Sequence, residues 1–144
     1  MARFTSMLFA ACFAVCAVAA PLHSRQVGDL DCNLARLKII SDIAAAQTLV
    51  GQINTIDLAT ASAVAVAQAG LTSTNAAIQD ILTAVFANQT APANSRDQVG
   101  LGVNGAHDAL SLITDPSLNA TVSAAQAKLL TIAGDGNKVV SECK

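Results

Sequence analysis

The chain has 144 residues, a net charge of −2 and 53% hydrophobic residues, and it contains no Trp or Tyr. A chain of this length forms one domain with a core of its own. Its acidic balance, without a basic stripe, argues against a nucleic-acid partner. The lack of Trp and Tyr argues against a lectin, because sugar rings usually stack on those side chains.

The N-terminus predicts export from the cell. The run LFAACFAVCAVAA follows one positive charge and contains an Ala-x-Ala pattern ending at Ala19. This layout is typical of a secretory signal peptide and is too short to span a bilayer. We therefore predict a signal peptide over 1–19, a possible pro-segment over 20–25 ending at Arg25, and a single helical domain over 26–144. No later apolar run is long enough for a transmembrane segment, so we expect a secreted protein, extracellular or in a cell wall.

Two cysteines, Cys32 and Cys143, remain beyond the predicted signal peptide. In an oxidising export route an isolated pair is expected to form a disulfide. The alternative is a pair of buried free thiols.

Two N-glycosylation sequons agree with export. They begin at Asn88 and Asn119, and both lie at predicted helix ends. We therefore expect a glycoprotein with sugars on these two asparagines.

Four segments share an apolar spacing that alternates between three and four residues, which places one stripe of side chains on each helix. The first stripe is Ile39, Ile43, Ala46, Val50 and Ile53. The second is Thr60, Val64, Ala67, Leu71, Thr74, Ile78, Ile81 and Val85. The third is Val99, Val103, Ala106, Leu110 and Ile113. The fourth is Leu118, Val122, Ala125, Leu129, Ile132, Gly136 and Val139, with Cys143 as the next step.

Short clusters of Pro, Gly, Asn and Asp separate these segments at 54–57, 88–95 and 114–117. Short connections favour antiparallel neighbours. The predicted fold is therefore all-α, an antiparallel, up-down-up-down four-helix bundle closed by one terminal disulfide. In that topology the start of the first helix and the end of the fourth lie together, which explains the placement of the two cysteines.

The helix ends carry capping signals. Asp115 before Pro116 predicts an N-cap followed by proline at the first helical position. Ser95 and Gln98 fit a capping box, with Asn94 as a competing cap.

Glycines interrupt the predicted third helix. Gly100, Gly102 and Gly105 should each weaken it by roughly 1 kcal/mol relative to Ala. This helix is then the least stable of the four, unless its glycines allow a close backbone contact.

The catalytic inventory is thin. His107 and Asp108 are neighbours in sequence and point about 100° apart on a helix, so they do not form a base and its orienting carboxylate. The GDGNK stretch at 134–138 lacks the ligand series of a calcium loop and is interpreted as a helix irregularity or fraying. The GLGVNG stretch at 100–105 lacks the Lys-Ser/Thr of a phosphate loop. We expect no enzyme activity, no metal site and no cofactor.

Some apolar residues lie outside the four stripes. They are Leu37, Ile40, Leu49, Val66 and Leu82. They indicate either a wide core face or a surface that engages wax, lipid or another apolar interface.

Five stretches, DCNLARLKI, RDQVGLG, AHDALSLI, KVVSEC and the signal peptide, resemble small secreted proteins of mushroom-forming fungi. The resemblance is to the cell-wall galactomannoprotein and hydrophobic-surface-binding type. It implies a non-enzymatic protein whose partner is the cell wall or an apolar surface. The alternative is a secreted interaction protein recognised by a host receptor, as an immunomodulatory protein, allergen or effector. The oligomeric state is not predicted.

Overall fold

A computed structural model of the chain describes residues 30–143, and within them it contains only helices and no strand. The α-helices are α1 (Leu30–Gly51), α2 (Leu58–Phe86), α3 (Ala93–Ser111) and α4 (Asn119–Glu142), with a 3-10 helix over Pro116–Leu118 before α4. The all-α prediction is confirmed. The predicted signal peptide and pro-segment lie outside the described residues. No helix in the described part of the chain is long and apolar enough to cross a membrane.

The predicted stripes form the core. Most of their members are buried in a single cluster, and each helix contributes one alanine with no exposed surface. These alanines are Ala46, Ala67, Ala106 and Ala125. The half-buried exceptions lie towards the ends of the stripes, at Ile81, Val85, Val99, Gly136, Val139 and Cys143. The spacing therefore identified the correct face of every helix.

The helices pack as two pairs. α2 packs most extensively on α3, and α1 on α4, while the α1–α2 and α3–α4 contacts are thinner. We call these closely packed units the α2–α3 pair and the α1–α4 pair. This unequal packing was not visible in the four stripes, which have the same spacing.

Small residues at seven-residue intervals bring α2 and α3 together. The buried or half-buried set on α2 is Ala63, Gly70, Ala77 and Ala84, and the buried set on α3 is Ser95, Gly102 and Ala109. A Cβ atom added to Gly70 would lie 2.6 Å from the Gly102 carbonyl oxygen, and one added to Gly102 would lie 2.6 Å from the Gly70 oxygen. The two backbones therefore touch. Of the three glycines in α3, Gly102 makes the close backbone contact that the sequence analysis gave as an alternative to a weak helix. A Cβ at Gly100 or Gly105 would meet nothing within 4 Å.

Two helix starts are capped by aspartates. Asp57 accepts hydrogen bonds from the Thr60 amide at 2.8 Å and the Thr60 hydroxyl at 2.6 Å, and these bonds lower the pKa of the Asp57 carboxyl. Asp115 accepts from the Ser117 amide at 2.9 Å, with Pro116 at the first helical position, as predicted. Both carboxylates satisfy amides that have no partner within the helix.

The predicted capping box is wrong. α3 begins at Ala93 after Pro92, without a side-chain cap. Ser95 is buried inside the first turn, and the Gln98 side chain donates to the Ser73 hydroxyl at 3.0 Å. Ser95 is used as a small residue against α2 rather than as a cap, and this packing overrides the local signal.

Candidate functional site

The disulfide predicted between Cys32 and Cys143 is confirmed, and the alternative of two free thiols is wrong. The bond joins the first turn of α1 to the residue after α4, with the two Cα atoms 5.1 Å apart. The Cys32 side chain is fully buried, and Cys143 is half-buried. The bridge therefore lies within the α1–α4 pair.

A group of four charged side chains lies on the same pair, and we call it the ion cluster. Lys38 donates to Asp42 at 2.9 Å and to Asp135 at 2.5 Å, while Lys128 donates to Asp42 at 3.1 Å. Both aspartates are buried, and the two lysines reach in from the surface. Two cross-helix bonds therefore tie α1 to α4 where a buried carboxylate needs a cation.

The cluster changes the acidity of two of its members. Hydrogen bonding from Lys38 holds the pKa of the Asp42 carboxyl below its usual range; burial opposes this, and Lys128 adds to it. The hydrogen bonds to Asp135 and Asp42 raise the pKa of the Lys38 ammonium. Both shifts favour the charged forms, so the cluster is an ion pair network at neutral pH.

Sequence reasoning missed the ion cluster. The GDGNK stretch was interpreted as irregular or frayed, but α4 continues through it and buries Asp135. This interpretation is corrected: Asp135 is three residues after the buried Ile132, and its carboxylate is neutralised by a lysine 97 positions away. The only local signal was the four-residue spacing of Lys38 and Asp42 on a predicted helix.

We predict that the ion cluster makes the free energy of unfolding depend on pH in the acidic range. Asp42 has a lowered pKa in the folded state, so its contribution is present above the unfolded value of about 3.9 and is lost as pH falls through the folded value. Replacing Asp42→Asn should reduce the free energy of unfolding at pH 7, and the difference from the wild type should shrink towards pH 2–3. Urea unfolding followed by circular dichroism at several pH values measures this.

The control for acid dependence is Asp80→Asn, because Asp80 is exposed on α2. That variant should not reproduce the Asp42 profile. An Asp42→Asn difference that stays constant from pH 7 to pH 2 would contradict the electrostatic role of the cluster.

His107 and Asp108 do not form a close pair. The His107 Nδ1 and Asp108 Oδ1 atoms are 3.8 Å apart, beyond hydrogen-bond distance, and the Asp108 side chain is 84% exposed. Among residues 30–143, no three His, Cys, Asp or Glu side chains come together in a group able to hold a metal ion.

The sequon asparagines are both exposed, Asn88 after the C-terminus of α2 and Asn119 at the N-terminus of α4. Asn88 follows α2 with a φ of 54°, and it lies in a turn where the Gln89 amide donates to the Ala84 oxygen and the Asn88 amide to the Val85 oxygen. This is the Schellman pattern, in which asparagine tolerates the left-handed conformation. Asn119 is the first residue of α4.

The five apolar residues outside the stripes divide into two groups. Ile40, Leu49 and Leu82 are half-buried and pack against the core, which widens it, whereas Leu37 and Val66 are 63% and 54% exposed. Other large apolar side chains are more exposed still. They include Leu30, Ile56, Leu58, Phe86, Leu101, Leu112 and Val140, each at least 70% exposed.

Charge is unevenly distributed over the helices. The 22 residues from Leu58 to Gln79 of α2 contain no Lys, Arg, Asp, Glu or His, and they span about 33 Å of helix. The α1–α4 pair, by contrast, carries the ion cluster.

Comparison of the chain with family models, with curated proteins and with solved structures found no match.

Proposed function

We propose that this chain is a secreted, non-enzymatic protein that binds apolar interfaces or the cell wall. The observation that carries the proposal is the number of large hydrophobic side chains left at the surface. Eleven of them in the described part of the chain are more than half exposed, in a protein with few charges. Covering water-exposed apolar surface of this kind with another apolar surface lowers the free energy.

We also propose that the four helices form an antiparallel, up-down-up-down bundle. The support comes from contacts between helices in which one residue number rises as its partner falls. In α1 and α4 these are Cys32 with Cys143, Lys38 with Asp135, and Asp42 with Lys128. In α2 and α3 they are Gly70 with Gly102 and Ser73 with Gln98.

Secretion, glycosylation and the fungal wall remain part of the proposal. A disulfide is compatible with an oxidising export route. Sugars on Asn88 and Asn119 would project from exposed helix ends. The resemblance to small secreted proteins of mushroom-forming fungi suggests the wall or an apolar surface as the physiological partner.

We predict that the oxidised protein adsorbs to polystyrene particles. Adsorption should increase with salt, because the driving force is apolar burial and salt strengthens it while screening charge. It should increase again when the disulfide is reduced, since α1 and α4 are then no longer joined covalently and can expose the apolar area between them. Depletion of protein from solution at increasing particle area measures all three effects.

Hydrophilic silica particles of equal area, with the same protein, are the control. If the oxidised protein is not depleted by polystyrene at any salt concentration, the interface function is wrong. Saturable binding to cells of another organism would then favour the alternative, a secreted interaction protein recognised by a receptor.

A further inference from the structure

We infer that the protein binds an apolar surface by separating into its two helix pairs, with the disulfide intact. This inference rests on the proposed function and describes how the core reaches the surface. The α1–α4 pair and the α2–α3 pair would each stay together. The apolar faces that now pack against one another would instead cover the foreign surface.

The α1–α4 pair is held together independently of the other pair. The Cys32–Cys143 bond is covalent, and the ion cluster adds hydrogen bonds between α1 and α4. All of these links lie within the pair. The disulfide therefore does not resist separation of the α1–α4 pair from the α2–α3 pair.

The α2–α3 pair is held together by close backbone packing instead of by covalent and ionic links. Its backbones touch at Gly70 and Gly102, and buried small residues continue the contact along both helices. The Gln98 side chain adds a hydrogen bond to Ser73. Close packing over this length makes dispersion contacts that water cannot replace, so this pair also stays closed.

The interface between the pairs is mostly apolar. The α1–α2 and α3–α4 backbones approach one another over fewer residues than the backbones within each pair do. The core cluster holds four fully buried alanines, which bury little area each, together with the larger Leu71 and Leu129. A foreign apolar surface that covers these side chains would offset the area lost on separation. The hydrogen bond from Gln126 to Ser111 crosses between pairs, and it lies next to the turn after α3.

The chain crosses between the pairs at one end. The loops over 52–57 and 112–115, which we call the hinge loops, connect α1 to α2 and α3 towards α4. In the antiparallel bundle both lie at the end opposite the disulfide. The turn over 87–92 stays within the α2–α3 pair. The pairs can therefore swing apart at the disulfide end while the hinge loops hold them together.

Distances between spin labels on polystyrene particles test the inference. The labels are attached to cysteines at exposed positions, with the native disulfide left oxidised. The doublet Asp97→Cys with Asn137→Cys places one label on each pair at the disulfide end. The distance between its labels should increase by at least about 10 Å, because the axes of packed helices lie about 8–10 Å apart and the separated pairs are no longer packed.

Three further doublets are matched controls, all at exposed positions. They are Ser41→Cys with Thr131→Cys inside the α1–α4 pair, Asn75→Cys with Asp97→Cys inside the α2–α3 pair, and Asn54→Cys with Thr114→Cys across the hinge loops. Each should keep a narrow distance distribution close to its value in solution. Circular dichroism of the labelled proteins in solution verifies the fold of every variant.

The outcomes separate the inference from the proposed function. Adsorbed protein with all four distances unchanged would overturn separation while leaving interface binding in place. Adsorbed protein with all four distributions broadened would also overturn it, since the surface would then unfold the chain. Failure of the oxidised protein to adsorb would reject the proposed function itself.

Discussion

Removing the disulfide should lower the free energy of unfolding by about 4–5 kcal/mol. The bond joins residues separated by 111 positions, and closing a loop of this length removes much of the conformational entropy of the unfolded chain. The double substitution Cys32→Ala with Cys143→Ala tests this without leaving a free thiol. Its Tm should fall by on the order of 15–20 °C for a domain of this size.

The core explains why so large a share of stability should rest on one bond. Four of its fully buried residues are alanines, and its largest fully buried side chains are leucines and an isoleucine rather than aromatics. Small side chains bury little area each, so the hydrophobic contribution is modest. Chemical unfolding of the double variant, the oxidised wild type and the reduced wild type measures the difference.

Reduced wild type is the control for the alanine substitutions, because it loses the bond but keeps both sulfur atoms. It should match the double variant to within about 1 kcal/mol, since Cys32 is a small buried group whose replacement leaves a minor cavity. Equal stability of oxidised and reduced wild type would contradict the entropic role of the bridge.

The helices could be predicted from the apolar spacing, and the bridge from the number of cysteines, because both depend only on the order of residues in the chain. Stripes alternating by three and four residues are typical of one buried helix face, and the buried members such as Ile43, Leu71 and Leu129 confirm it. The two cysteines beyond the predicted signal peptide have only one pairing available. Neither inference needed knowledge of which helices touch.

Features that depend on a neighbouring helix were missed. Asp135 is buried because Lys38 approaches from α1, and nothing near Asp135 in the sequence indicates this partner. Ser95 satisfied a local capping pattern but is buried in the first turn of α3 and caps nothing. The pairing of α2 with α3 depends on small residues at seven-residue intervals, and these are hard to recognise in a chain rich in alanine.

The glycines of α3 should respond to the same substitution with opposite signs. Gly102→Ala should lower the free energy of unfolding by about 1–3 kcal/mol, because the new Cβ would clash with the Thr74 hydroxyl and lie 2.6 Å from the Gly70 carbonyl oxygen, so α2 and α3 must move apart. Gly100→Ala and Gly105→Ala should each raise it by up to about 1 kcal/mol, because alanine favours helix and the added atom meets nothing within 4 Å.

Gly70→Ala is the matched variant on the other helix. Its Cβ would lie 2.6 Å from the Gly102 oxygen, so it should destabilise the protein to a similar degree. The double variant Gly70→Ala with Gly102→Ala should destabilise the protein by less than the sum of the two single substitutions, because both force the same separation of α2 from α3.

Urea unfolding of the five variants and the wild type measures these values under one set of conditions. If Gly102→Ala stabilised the protein as much as Gly100→Ala does, the close backbone contact between α2 and α3 would be wrong. The α2–α3 pair would then lose the feature that distinguishes it from the looser α1–α2 and α3–α4 contacts.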